Sequence, residues 1–139
     1  SLDRNSTQCY IMTMPEVAKA TRTFKTAWFA KAARKSRITD KELCAAIQEV
    51  MKGQADDLGG GVFKKRLSKN MYRSIILAKG GRYWFYTYLF AKKDRANIDD
   101  NELSDFRTLA RGYAALTETA LAQLLRDNDL MEICHGHEK

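Results

Sequence analysis

Residues 62–95 have the sequence VFKKRLSKNMYRSIILAKGGRYWFYTYLFAKKDR, in which strand-forming side chains recur. Residues 82–90 are almost all aromatic, β-branched or leucine, and an apolar run of this length favours a central strand covered on both faces. Residues 72–78 predict a second strand, and the Gly-Gly pair between the two fits a tight hairpin turn. Residues 62–69 predict a third strand that turns near Asn70, so we expect an antiparallel meander.

The same stretch carries the excess positive charge of the chain. It holds ten lysine and arginine residues and a single acid, Asp94, so its net charge is +9, whereas the whole chain of 139 residues is +7. A basic protein attracts nucleic acid, an acidic protein or anionic lipid, and cations on a sheet beside aromatic residues favour nucleic acid. The alternative is a solvated sheet edge whose charges oppose aggregation, and charge alone does not separate the two.

Alternation along the strands predicts which of these cations share a face. Side chains two residues apart lie on the same face of a strand, so Lys64 lies with Arg66. By the same spacing Arg73 lies with Ile75 and Leu77. The pattern leaves open whether these two faces coincide.

The composition indicates one globular domain. Apolar residues make up 45% of the chain and charged residues 29%, which is typical of a globular protein. We expect a flexible leader at residues 1–17, a single domain at 18–134 and a tail at 135–139. Because there is neither an apolar run of membrane-spanning length nor a signal-peptide pattern, we expect a cytoplasmic protein without a membrane partner.

Cysteine and histidine offer little chemistry. Cys9, Cys44 and Cys134 are odd in number and far apart, so we expect no disulfide framework, and Cys44 is expected to be a buried small hydrophobe. Histidine occurs only in the tail CHGHEK, which lacks a fourth metal ligand, so neither a metal site nor a Ser-His-Asp or Cys-His unit is expected. Residues 54–61 predict a loop whose triple glycine lacks the Gly-Lys-Ser/Thr of a phosphate-binding loop.

Helices are expected before and after the meander. Residues 21–26 alternate like a short strand, and 27–37 follow a helical pattern with the Trp28-Phe29 pair expected in the core. A capping box at 39–42 begins a helix that ends near Lys52.

Acids and N-cap residues at 97–102 mark the start of a helix expected at 101–116. Its expected buried face comprises Leu103, Phe106, Leu109, Tyr113 and Leu116. A further helix at 118–126 and a short edge strand at 130–133 complete the chain. The predicted fold class is α+β, with two N-terminal helices, an antiparallel meander and C-terminal helices.

The remaining chemistry belongs to lysine and arginine. RNA cleavage by its own 2′-hydroxyl passes through a phosphorane with extra negative charge, which fixed cations stabilise more than the ground state. A neutral lysine can accept a proton, and an arginine fork can bind two phosphate oxygens. The same groups can also simply bind phosphate, so composition does not separate a nuclease from a binding protein.

Six motifs follow one another in a recognisable order. They are FKT at 24–26, WFAKxARK at 28–35, ITDxEL at 38–43, DLGGGVxKKR at 57–66, YR at 72–73 and FAKKxRxNI at 90–98. In this order the chain resembles the RelE toxin family of type II toxin–antitoxin systems, in the HigB-like, phage-associated branch of the RelE/ParE superfamily. The resemblance covers about residues 22–133.

The resemblance implies two helices, a curved antiparallel sheet and a closing C-terminal helix. It implies an endoribonuclease that cleaves mRNA on the ribosome without a cofactor and is neutralised by a cognate antitoxin, expected to be of the helix-turn-helix type. By motif position it implies the catalytic residues Lys64, Arg66, Arg73 and Lys93 and the RNA contacts Lys65, Lys92 and Arg95. Within this set, Lys64 or Arg66 is expected near the attacking hydroxyl. Arg73 is expected on the scissile phosphate and Lys93 near the leaving oxygen.

Two departures from the family pattern keep an alternative open. The tyrosine that follows the last basic block in the family would lie near Asp99, which is not aromatic, and the loop before Arg73 is short for this branch. The alternative is a protein of the same fold without nuclease activity, either a gyrase inhibitor like the ParE relatives or a degenerate partner of the antitoxin.

Overall fold

The computed structural model describes residues 21–135, so the predicted leader at 1–17, Cys9 and the tail beyond residue 135 lie outside the described part. The elements follow in the order β1 (Arg22–Thr26), α1 (Ala27–Lys35), α2 (Asp40–Met51), β2 (Asp56–Gly59), β3 (Val62–Leu67), β4 (Tyr72–Lys79), β5 (Tyr83–Ala91), α3 (Asp100–Ala114), α4 (Glu118–Arg126) and β6 (Leu130–Ile133). The predicted α+β class is confirmed. None of the helices in this range is long and apolar enough to cross a membrane.

The strands form one sheet in the order β2-β3-β4-β5-β1-β6. The antiparallel meander of β3, β4 and β5 is confirmed, and so are the short first strand and the edge strand at 130–133. The whole sheet is mixed, because β1, which lies outside the meander, pairs with β5 in parallel. A parallel pair needs a long crossover, and here the connection comprises both N-terminal helices and three strands.

The segment predicted as a loop before β3 contains a strand. Asp56–Gly59 pairs antiparallel with β3, and Asp56 stands opposite Lys64. The hairpin closes through Gly59, Gly60 and Gly61, which all have positive φ and therefore suit a tight turn. Two acids beside a glycine run have the composition of a loop, so the sequence does not predict this strand.

Helices cover both faces of the sheet and create two cores. Helices α1 and α2 cover one face, whose core includes Phe29, Leu43, Ile47, Ile76 and Tyr86. Helices α3 and α4 cover the other, whose core includes Phe24, Val62, Ile75, Leu77, Phe85 and Leu121. Strand β5 supplies side chains to both cores, as its nearly continuous apolar run predicts.

Two residues expected in the core are exposed. Trp28 is 52% exposed although its neighbour Phe29 is fully buried, because α1 begins just beyond the end of β1 and only one of its sides meets the sheet. Leu109 is 40% exposed, because the adjacent Ala110 takes the position that faces the sheet.

The predicted capping box at the start of α2 is half formed. The Thr39 side chain accepts a hydrogen bond from the Glu42 backbone N–H at 3.2 Å. The Glu42 carboxylate instead accepts from the backbone N–H of Ser68, which ties α2 to the β3–β4 turn. A complete capping box lies at the start of α3, between Asp99 and Glu102.

The expectation that Cys44 is an unpaired hydrophobe is wrong. Cys44 on α2 is joined by a disulfide bond to Cys134, which follows β6, and their Cα atoms are 5.4 Å apart. The two cysteines are 90 residues apart in sequence, so the sequence alone does not predict that they meet in the fold.

Candidate functional site

The register of β3 and β4 brings Lys64, Arg66 and Arg73 onto one face of the sheet, which we call the basic face. Arg66 is directly opposite Arg73, and Lys64 is opposite Ile75. Opposed residues in an antiparallel pair project from the same face, so the two faces that the sequence left unrelated coincide. The row continues onto β5, where Phe90 stands opposite Arg73.

Arg73 is held in place by uncharged partners. It is buried, and its Nη1 donates to the backbone carbonyls of Asn70 at 3.0 Å and Tyr72 at 3.4 Å. Three consecutive residues of the β3–β4 turn, Ser68, Lys69 and Asn70, have φ values between 55° and 73°. This left-handed turn, which is uncommon for side-chain-bearing residues, brings the Asn70 carbonyl back to the guanidinium.

The other two cations of the basic face are more accessible. Arg66 is exposed, and the Lys64 Nζ lies 3.7 Å from a carboxylate oxygen of Asp56. A pair of this kind with an exposed partner is weak. Within residues 21–135, no carboxylate lies within 4.0 Å of a nitrogen of Arg66 or Arg73. A depression of about 310 Å³ at the edge of the sheet is lined by Lys64, Arg66 and Asp56 and also by Lys65.

Lys65 points to the opposite side of the sheet. Its Nζ lies 2.7 Å from the Glu49 carboxylate and donates to the Gln54 carbonyl at 3.0 Å. The hydrogen bond from Lys65 lowers the pKa of Glu49 below its usual range. Lys65 therefore fastens the end of α2 to β3 and does not belong to the basic face.

Arg95 also has an internal partner. Its Nη1 donates to Glu102 at 3.0 Å, its Nη2 donates to the second oxygen of the same carboxylate, and its Nε donates to the Asn97 carbonyl at 3.0 Å. The hydrogen bonds between them raise the pKa of Arg95 and lower the pKa of Glu102. This pair fixes the connection between β5 and α3.

Lys92 and Lys93 lie exposed at the start of that connection. Lys93 lines a groove of about 470 Å³ whose walls include Trp28, Tyr72 and Tyr88. The seven predicted cations therefore fall into three sets, namely the basic face, the internally paired Lys65 and Arg95, and the exposed pair beside this groove. The depression at Lys64 and Arg66 does not include Lys93.

Two residues that position the site were not predicted. Arg107 on α3 donates to the carbonyls of Leu58 and Gly59, and a Cβ atom added to Gly60 would lie 2.8 Å from its side chain. The glycine triplet indicates that another group packs closely against this backbone, but the sequence does not identify that group as Arg107. Asp56, which faces Lys64, was assigned to a loop.

The described residues contain no cluster of three or more metal-binding side chains. His135 lies 3.2 Å from the Glu132 carbonyl, and His137 is outside the described range.

The family model described as "RelE toxin of RelE / RelB toxin-antitoxin system" matches residues 21–133. This range includes every helix and strand of the described residues. No curated protein and no solved structure matches the chain. The chain therefore belongs to the RelE toxin family, as a toxin of a toxin–antitoxin system whose partner is a cognate antitoxin.

Proposed function

We propose that the protein is a ribosome-dependent endoribonuclease that cleaves mRNA at the basic face. The observation that carries the proposal is the opposition of Arg66 and Arg73 on adjacent strands, with no carboxylate oxygen of the described residues within 4.0 Å of either guanidinium. Two neighbouring cations without internal carboxylate partners suit the negative charge that develops on a phosphorane. Membership of the RelE toxin family supports the same reaction class.

Each member of the basic face has a proposed role. Arg73 binds the scissile phosphate, because its carbonyl partners orient the fork while leaving other N–H groups to donate to phosphate oxygens. Arg66, across the strand pair, contacts the same phosphate or the attacking 2′-hydroxyl. Lys64 lies two residues from Arg66 on the same face, and its Nζ contacts the attacking 2′-hydroxyl when it is separated from Asp56.

Lys93 and Lys92 are assigned to the leaving side of the substrate. Phe90 is two strands away from Arg66, which corresponds to about 10 Å across the sheet, and Lys93 follows it at the end of β5. An RNA strand that crosses β3, β4 and β5 would therefore meet the basic face first and Lys93 next. Lys65 and Arg95 are left out of the proposed contacts because Glu49 and Glu102 hold them.

The site of action that follows is the cytoplasm, where ribosomes and mRNA are found. The proposed antitoxin is of the helix-turn-helix type, and the chemistry uses no cofactor. The proposal also keeps the HigB-like branch as the nearest subgroup.

Cleavage of mRNA on purified ribosomes tests the proposal. The wild-type protein is expected to cut, Arg66→Ala to lose most of the rate, and Arg126→Ala to cut like wild type, because Arg126 is an exposed arginine on the distant helix α4. Equal rates in all three, or no cleavage by the wild type, would contradict it. A DNA supercoiling assay run in parallel would, if it alone showed inhibition, favour a gyrase inhibitor.

A further inference from the structure

Trp28 stands between two grooves on the surface of the protein. Both are lined by Trp28: one is the groove of about 470 Å³ that Lys93 also lines, and the other is a groove of about 410 Å³ that Lys31 and Lys35 also line. We call the two together the Trp28 groove. The indole packs against the Tyr88 ring, with centroids 5.1 Å apart, and is otherwise half exposed.

The exposure of Trp28 follows from the lengths of two strands. Strand β1 pairs with β5 only as far as Tyr86, and the chain then turns into α1 with Thr26 as the N-cap. The end of β5 extends past this point without a neighbour on that side among the described strands. Trp28 lies over this uncovered end of β5, beside Tyr88, and keeps part of its ring in solvent.

The charges around Trp28 are predominantly positive. Lys31 and Lys35 follow it at helical spacing on the same side of α1, and Lys93 lines the other of the two grooves that Trp28 lines. All three are exposed and, within residues 21–135, have no carboxylate within 4.0 Å. One acid, Asp94, also lines the groove, and Arg95 there is already paired with Glu102.

The Trp28 groove is continuous with the basic face. Phe90 lines the groove and is the register partner of Arg73, which in turn is opposite Arg66. Adjacent strands are about 4.8 Å apart, so the groove begins one strand beyond Arg73. A ligand that lies along this row would meet cations, then an exposed aromatic ring, then further cations.

We propose that the Trp28 groove is a nucleobase-stacking subsite for the single-stranded RNA that occupies the basic face. A base stacks on the indole, and Lys93 on one side and Lys31 and Lys35 on the other contact the neighbouring phosphates. Aromatic platforms between cations bind single strands because every base has a π-face, whereas the bases of a duplex are already stacked. The choice of RNA as the ligand rests on the proposed function.

Tryptophan fluorescence tests the contact directly. The chain has two tryptophans, and Trp84 is buried, so quenching by a bound base reports on Trp28. The probe is an eight-nucleotide RNA with 2′-O-methyl groups throughout, which binds without being cleaved. Quenching is expected with the wild type and not with Trp28→Phe, in which Trp84 is the tryptophan that remains. Equal quenching in both, or stronger quenching by a duplex of the same length, would overturn the proposal.

Binding measured by fluorescence anisotropy gives the size of the effect. Trp28→Ala is expected to weaken binding of the labelled RNA about 5- to 150-fold, the range for loss of one base–aromatic stack. Leu109→Ala removes another exposed apolar side chain, on α3, and is expected to bind like wild type. Unchanged affinity in Trp28→Ala would overturn the proposal, as would quenching of Trp28 by an acidic peptide but not by RNA.

The two proposals can fail separately. If the wild type does not cleave mRNA on ribosomes but Trp28→Ala still weakens RNA binding, the nuclease proposal fails and the stacking subsite stands. If the wild type cleaves and Trp28→Ala binds and cleaves equally well, the subsite is overturned and the nuclease proposal stands.

Discussion

Arg73 and Arg95 both lie next to Phe90, yet their guanidinium groups have different hydrogen-bond partners. Arg73 is the register partner of Phe90, and the Arg95 guanidinium lies 5.6 Å from the centre of the Phe90 ring. Arg73 donates to backbone carbonyls of the β3–β4 hairpin. Arg95 is held by both oxygens of Glu102 in the β5–α3 connection.

The difference indicates which basic region is available to a ligand. Carbonyl partners orient a guanidinium without cancelling its charge, whereas a carboxylate neutralises it. The Arg73 guanidinium of the hairpin therefore keeps its charge, whereas the charge of Arg95 fixes the conformation of the β5–α3 connection. Motif position alone gave both arginines an RNA-contacting role, so the partner of a cation is more informative than its place in the motif.

The largest expected effect is the difference in cleavage rate between replacement of Arg73 and replacement of Arg95. Arg73→Ala is expected to lower the single-turnover rate of mRNA cleavage on ribosomes about 10²- to 10³-fold, the loss typical of removing one preorganised donor to a developing charge. Arg95→Ala is expected to lower the melting temperature with a much smaller loss of rate. Circular dichroism and the variant Arg73→Lys control for folding, and equal rate losses at both positions would contradict the account.

Breaking the Cys44–Cys134 bond should lower stability without touching either arginine. Removal of a native disulfide typically costs about 2–5 kcal/mol, so Cys134→Ser should lower the free energy of unfolding by that amount. Urea unfolding of the oxidised protein, the reduced protein and Cys134→Ser measures the effect. Equal stability of all three would contradict a stabilising role of the bond.

Removing the carboxylate partner of Arg95 should leave its charge available to a phosphate, as the charge of Arg73 already is. Glu102→Gln is expected to steepen the log–log salt dependence of single-stranded RNA binding by about 0.7, the value for one added phosphate contact. Glu49→Gln is the matched control, because the lysine it releases, Lys65, lies on the opposite side of the sheet. Equal slopes for wild type and Glu102→Gln would argue against a masked contact.

The smallest expected effect is the acid sensitivity of a second arginine–carboxylate pair, Arg22 with Glu132. Arg22 donates to both oxygens of Glu132 at 2.8 and 2.9 Å, and these hydrogen bonds lower the pKa of Glu132. The stabilisation is therefore complete above the ordinary glutamate pKa of about 4.5 and is lost as pH falls through the lowered value.

Glu132→Gln should consequently be less stable than wild type near neutral pH by up to about 1 kcal/mol, as expected for a partly exposed pair. The difference should vanish in acid, and urea midpoints from pH 7 to 3 measure it. A difference that persists at low pH would assign the effect to packing rather than to charge.

The sequence predicts local features of this fold well. The meander follows from the aromatic and β-branched run of β5 and the Gly80-Gly81 turn, and the helix starts follow from Thr39 and Asp99. It does not predict contacts between distant segments. The parallel pairing of β1 with β5 and the bond between Cys44 and Cys134 depend on how the whole chain is folded.

The candidate site divides in the same way. The spacing of Lys64 and Arg66 predicts a shared face, because it depends only on strand alternation. The position of Arg73 on the same face depends on the register of the hairpin. The carboxylate partners of Lys65 and Arg95 depend on where the helices place Glu49 and Glu102. Both acids were identifiable as helix residues, but nothing in the sequence linked them to particular cations.

A sulfur substitution at the scissile phosphate tests the role of the basic face most directly. Ribosome-bound mRNA with a phosphorothioate at the cleavage site, as each stereoisomer, is compared with normal mRNA in single-turnover cleavage by wild type and Arg73→Lys. If Arg73 binds a phosphate oxygen, one stereoisomer should slow the wild type, and the slowing should shrink in Arg73→Lys by about 2- to 150-fold, the range for groups in contact. The same slowing in both proteins would contradict the contact between Arg73 and the scissile phosphate.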